Sequence, residues 1–262
     1  MARSTRRSAL RLALILGFAG LVMARPWQGL RTPEVAFEDL PDLPPLRRLA
    51  GSGDRPAGAL GTAVFVGLAP PDAQSIVPPQ LVARLRREIC EVLPLSWTRA
   101  EPIPITYFTD INCGVCRRLE ADLRALDGEE PAFRLITREY PVLGPRSTAA
   151  ARLVRAAAAQ GRSEDVRAAL MTRPAPDRAE AVAAFADRQG LRTDALVEAW
   201  QSADVRDSLL EDRALAHLFA LPGTPGLVVG RTVVSGAPDR QTLAALISRE
   251  RADGPPAACT PS

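Results

Sequence analysis

Tyr107-Phe108-Thr109-Asp110-Ile111-Asn112-Cys113-Gly114-Val115-Cys116 decides the reading of this chain. The apolar run that leads into it, from Ile103 to Phe108, alternates as a strand does. After it, Val115, Leu119, Leu123 and Leu126 recur at helical spacing, with Arg117, Arg118, Glu120, Asp122 and Arg124 on the other side. Two cysteines therefore sit where a strand gives way to a helix. A helix N-terminus has unpaired N–H groups and a partial positive charge, so it favours an anion. The thiolate is the attacking form of cysteine. Cys113 is thus expected as an exposed, activated nucleophile, with Cys116 one turn further on to resolve the mixed disulfide.

Other uses of a Cys-x-x-Cys pair fit less well. Haem attachment needs a His directly after the second cysteine, and Arg117 stands there. A structural zinc site needs four ligands. The remaining candidates are only Cys90, Cys259 and the sole histidine, His217. Cu(I) held between the two thiolates is an alternative, although flanking Met or His ligands are missing. A redox-silent interaction module is another. No metal site is expected. His217 reads as a surface or packed helix residue, and Trp97 and Trp200 as packing residues.

The chain has 262 residues, 47% of them hydrophobic, enough for a sizeable core. All 33 basic residues are Arg. Four of them, Arg3, Arg6, Arg7 and Arg11, lie in the acid-free first two dozen residues; without them 29 arginines face 30 acids. The body is close to neutral, which argues against a nucleic-acid partner. The basic start runs into 13 uncharged residues, Leu12 to Ala24. That suits a signal-peptide core and is short for a membrane span of roughly 20 residues. Residues 1–24 are read as a signal peptide or an uncleaved N-terminal anchor, with 12–24 as the candidate membrane tether. Export implies an oxidising compartment. There, Cys90 and Cys259 form a candidate structural disulfide; the alternative is a buried Cys90 and a free Cys259.

Residues 25–100 read as a Pro/Gly-rich linker or arm with one helix at about 78–92 and a short apolar run, 62–68, that could add an edge strand. From Ile103 a β-α-β unit ends in a strand at Phe133 to Ile136, with right-handed crossover as the default. A block of about five helices spans roughly 146–220. Ser147 is expected to cap its first helix, and Asp177 with Glu180 to form a capping box. Two β runs around Gly230-Arg231 make a hairpin, Asp239 to Glu250 a final helix, and 252–262 a Pro-rich tail.

This order resembles the thioredoxin fold, and most closely its DsbA-like branch, an α/β fold in which a helical domain interrupts the thioredoxin domain. The match covers about residues 101–251. Phe108-Thr109-Asp110 followed by Cys113-Gly114-Val115-Cys116 resembles the family's F-x-D-x-x-C-x-x-C. Arg138 to Gly144 resembles the segment after its second strand, and Gly223-Thr224-Pro225-Gly226 its Thr–cis-Pro loop. The resemblance implies a thiol–disulfide oxidoreductase in which Cys113 and Cys116 are catalytic and no cofactor is needed. Its partners would be protein thiols and disulfides and a membrane or periplasmic redox partner. Its location would be the periplasm or the periplasmic face of the inner membrane. Thr224, before a cis Pro225, would pair with an extended substrate segment. The frequent CPHC or CPYC dipeptide is Gly114-Val115 here. With no intervening His, a less oxidising potential is expected, with Asp110, Gly114, Val115 and Arg117 as candidate tuning residues.

Overall fold

The computed structural model describes residues 35–52, 77–127 and 133–259. The expected leader or anchor, the tether over 12–24 and the run at 62–68 lie outside the described residues. No helix among the described residues is long and apolar enough to cross a membrane.

Among the described residues six strands form one mixed sheet: β1 (Phe37–Asp39), β2 (Arg47–Leu49), β3 (Ile103–Thr109), β4 (Phe133–Glu139), β5 (Gly226–Val229) and β6 (Thr232–Ser235). Their order across the sheet is β1-β2-β6-β5-β3-β4. β3 lies next to the β4 edge, parallel to β4 and antiparallel to β5, and all seven of its residues are buried. Strand alternation sends successive side chains to opposite faces. Ile103, Ile105 and Tyr107 join Leu227, Val229 and Val234 on one face, against α3 (Gly114–Asp127) and α9 (Arg240–Asp253). Phe108, Val228 and Val233 join the other face, against α1 (Pro79–Arg87), α2 (Ile89–Val92) and the end of α8 (Ala203–Leu218). From α3, Leu119, Leu123 and Leu126 enter the first core. Each such buried side chain is worth about 1.5–3 kcal/mol.

Between β4 and β5 lie α4 (Pro145–Ala157), α5 (Ser163–Leu170), α6 (Ala179–Gln189), α7 (Thr193–Gln201) and α8. They bury their own core around Leu153, Val166, Phe185, Leu196 and Trp200. Ile111, from the loop after β3, enters that core and ties it to the cysteine loop.

The arm departs from a plain linker. β2 pairs in parallel with β6 and β1 turns back antiparallel on β2. Arg47 fastens it. Its guanidinium meets Glu250 at 2.6 Å and Asp253 at 2.8 Å, and lies over the Phe37 ring at 3.6 Å. The single helix expected at 78–92 is two, because Glu88 leaves helical geometry at φ −97°, ψ 21°. Two expected caps are also absent. α4 is capped by Gly144, with Ser147 buried inside its first turn, and the residue before α6 is Arg178, with no side-chain cap. Ser147 has found a different acceptor, described below. The hairpin turn places Gly230 at φ +54°, where a side chain would be strained and would also meet the Glu250 carboxylate.

Candidate active site

β3 ends at Thr109, and four residues carry the chain into α3. Their shape is set by Asp110, which is only 2% exposed. Its Oδ1 accepts from the backbone N–H of Asn112 at 2.9 Å and from the Ser147 hydroxyl at 2.7 Å. Its Oδ2 accepts from the N–H groups of Val142 at 2.9 Å and Leu143 at 3.0 Å. One carboxylate thus joins the cysteine loop, the loop after β4 and the first turn of α4. A side-chain link runs on to Asn112, whose Nδ2 donates to the Ser147 hydroxyl at 2.9 Å.

Cys113 follows, with its N–H donating to the Asp110 carbonyl at 2.9 Å. Its sulfur accepts from the Cys116 N–H at 3.1 Å and lies 3.6 Å from the carbonyl oxygen of Thr224. The Thr224–Pro225 peptide is cis, and the Pro225 carbonyl accepts from the Gly236 N–H at 3.0 Å, which holds the loop to the end of β6. Thr224 is half-buried and Pro225 buried. From beneath, the Tyr107 hydroxyl donates to the Cys116 carbonyl at 3.1 Å. Cys113, Cys116, Thr224 and Pro225 therefore converge.

Cys113 is less open than expected, at 6% exposure against 1% for Cys116. The Thr224 carbonyl roofs its sulfur, and the strand and α3 side chains close in below. Its neighbours Asn112 and Gly114 are exposed.

The two thiols are driven apart in acidity. Cys113 is pulled down to about 6, first by the hydrogen bond from the Cys116 thiol, against the opposing effect of burial. The Cys116 backbone N–H, the Thr224 side chain and the Val115 N–H also lower it. Cys116 is pushed well up, by its hydrogen bond to Cys113 and by burial. Among the four candidate tuning residues, Val115 acts through its backbone. Arg117 instead points its Nε at the Ile111 carbonyl, 3.4 Å away, and Asp110 is engaged by its four donors. Neither is among the groups that act most strongly on Cys113.

Behind α3, the sheet meets the helical block through buried ions. Arg167 of α5 pairs with Glu139 of β4 and lies 3.6 Å from Glu120 of α3. Asp212 of α8 pairs with Arg138 at 3.1 Å and with Arg155.

Cys90 and Cys259 are bonded to each other, with Cα atoms 5.3 Å apart. They join the core on the sheet face opposite to Cys113 and Cys116. His217 is exposed near the end of α8, and Trp97 and Trp200 are buried. Among the described residues no group of three or more His, Cys, Asp or Glu side chains could hold a metal ion.

Tyr107, Asn112 and Ser147 are site residues that the sequence reading missed. The available signal was position alone: Tyr107 points inward from β3, Asn112 precedes the first cysteine, and Ser147 follows the Gly144-Pro145 break.

The DSBA-like thioredoxin domain matches residues 104–248. Among solved structures, a thioredoxin-like oxidoreductase from Silicibacter pomeroyi DSS-3 is 31% identical, with TM-score 0.53, over 63% of this chain and 98% of that one. The thiol–disulfide exchange protein alpha-DsbA2 from Wolbachia pipientis shares the fold at 19% identity and TM-score 0.52, over 65% of this chain and 95% of that one. DsbA from Xylella fastidiosa does so at 22% and 0.51, over 61% and 91%. A comparison with curated proteins finds no match. The chain belongs to the DsbA-like thioredoxin family, whose members are thiol–disulfide oxidoreductases.

Proposed function

We propose that this chain is exported and exchanges disulfides with protein substrates through Cys113 and Cys116. One observation carries the reading: the low-pKa sulfur of Cys113 faces the Thr224 backbone, while Cys116 behind it holds its proton. In the reducing direction the Cys113 thiolate attacks one sulfur of a substrate disulfide. The substrate S–S bond breaks, and its other sulfur leaves as a thiolate and takes up a proton. Cys116 then loses its proton and attacks Cys113, which releases the second substrate thiol. The substrate gains two electrons and the enzyme pair is oxidised; oxidation of a substrate dithiol is the same sequence reversed. No cofactor enters, and a separate redox partner restores the pair.

Thr224 suits an extended substrate. Its N–H has no partner among the described residues, so a strand-like segment can add to it. The basic, then apolar, start of the chain supports export to the periplasm or to the periplasmic face of the inner membrane. The test is insulin reduction and refolding of reduced ribonuclease. Cys113→Ser should lose both, and Cys116→Ser should accumulate mixed disulfides on Cys113. Turnover retained in Cys113→Ser overturns the assignment.

A further inference from the structure

Asn112 is a surface side chain on a buried foundation. It is exposed, immediately before Cys113. Its backbone N–H is engaged by Asp110 and one of its Nδ2 hydrogens by Ser147. Ser147 is 1% exposed and donates onward to Asp110, 2% exposed. A surface amide ordinarily samples several rotamers and loses that freedom on binding. Here the chain Asn112–Ser147–Asp110 has fixed one orientation beforehand.

That leaves the Asn112 Oδ1 and its second Nδ2 hydrogen without a partner among the described residues. One free acceptor beside one free donor is the complement of a peptide group. The Thr224 carbonyl lies 3.6 Å from the Cys113 sulfur, and the Thr224 N–H has no partner among the described residues. A chain lying extended across the sulfur advances about 3.3 Å per residue. Asn112 is exposed and directly precedes Cys113, so it is the neighbouring side chain that such a main chain would meet.

We propose that Asn112 is a substrate-contacting residue: its carboxamide, oriented by Ser147 and Asp110, hydrogen-bonds the main chain of the segment whose sulfur joins Cys113. This rests on the reading of Cys113 given above. It gives the enzyme a preference for extended polypeptide over small dithiols, which have no main chain to hold.

The experiment compares the oxidised forms of wild type, Asn112→Ala and Ser147→Ala on a peptide dithiol and on reduced dithiothreitol. A second peptide carries N-methyl groups on the two amides flanking one cysteine. For Asn112→Ala the ratio of peptide to dithiothreitol kcat/KM should fall about 3- to 10-fold, the range of one net hydrogen bond. Ser147→Ala should shift the ratio the same way by less. N-methylation should slow wild type more than Asn112→Ala, so that the two changes are not additive. A structural role for Asn112 would leave N-methylation additive, and that result overturns the inference. An unchanged ratio in Asn112→Ala does the same while leaving the exchange reading intact. Absence of exchange by the wild type with either substrate overturns the exchange reading, and this inference with it.

Discussion

The backbone N–H of Cys116 points at the sulfur of Cys113 from 3.1 Å, so the second cysteine of the pair solvates the first. Hydrogen bonds to a charged form favour that form. With the Cys113 pKa lowered to about 6, iodoacetamide alkylation of the reduced protein should follow one titration centred near that pH, and Cys113→Ser should abolish it. The folded value is depressed, so the stabilisation is complete above the unfolded value of about 8.5 and is lost as pH falls through about 6. The oxidised protein has no such group. Denaturation of both forms should show the reduced one gaining on the oxidised one between those limits. Alkylation centred at pH 8 or above would contradict the assignment.

The same proton sets the slope of the redox potential. Below the Cys113 pKa, reduction takes up two protons and the potential should fall by about 59 mV per pH unit. Above it, one proton is taken up and the slope should halve to about 30 mV. The break belongs near pH 6. With no His between the cysteines, the potential should also lie below about −120 mV at neutral pH. A glutathione titration across pH checks both expectations. A single slope throughout, or a potential at or above that value, refutes them.

Asp110 separates two views of one carboxylate. As a bare charge near a thiolate it should oppose ionisation. In the structure both oxygens are acceptors, and Val142 and Leu143 donate to the same one. Asp110→Asn keeps the size but must either turn an NH2 group toward two N–H donors or deny the Ser147 hydroxyl its acceptor. Either choice leaves buried donors unpaired, at about 1–3 kcal/mol each. Urea melts should show Asn costing nearly as much as Ala, about 2–4 kcal/mol. An Asn variant as stable as wild type would show that the carboxylate is not the joint described.

The centre of the fold was legible because its signals are local. β3 and α3 carry unbroken periodicity over seven and fourteen residues. Gly161 and Gly190, each just past a helix end, adopt left-handed geometry at φ 67° and 65°, as glycine at that position signals. β1 and β2 were not legible. Each has three residues, too few to alternate, and the partner of Arg47 in the sheet is Thr232, far along the chain. In the site, the cysteines announced themselves by spacing and the Thr-Pro loop by resemblance. Ser147 was misread because its cap position was inferred from chain order, whereas its hydroxyl is claimed by a carboxylate from another element.

The Cys90–Cys259 bond closes a sequence separation of 169 residues on the sheet face away from the reactive pair. Cross-linking so long a loop restricts the unfolded chain, and losing such a bond costs about 2–5 kcal/mol. The Cys90→Ala, Cys259→Ala double variant should lose that much in guanidinium melts while retaining insulin reduction. If turnover falls in proportion to stability under conditions where the variant is fully folded, the two cysteine pairs are coupled and the separation argued from their opposite faces fails.

Arg167 serves two buried carboxylates, Glu139 at 2% exposure and Glu120 at 7%. Asp212 and Arg155 are the next charges around Glu139. Burial pushes Glu139 up to about 7 from an ordinary 4.5, only partly offset by Arg167 and Arg155. A raised acid binds its proton longer in the folded state, so this group's contribution falls as pH rises from about 4.5 to 7 and is level above. That trend is opposite to the one from Cys113, and it acts in both redox forms. Glu139→Gln keeps an acceptor for Arg167 and removes the titration, so the oxidised variant should lose this downward slope and match or exceed wild type at pH 8. Arg167→Met strands both carboxylates. It should cost about 3–5 kcal/mol at pH 8 and less at pH 5, where Glu139 is protonated. Urea melts of the oxidised proteins at the two pH values decide it. Equal losses for Arg167→Met at both would mean that Glu139 carries no extra proton at pH 5, and the ion cluster would have to be fully charged.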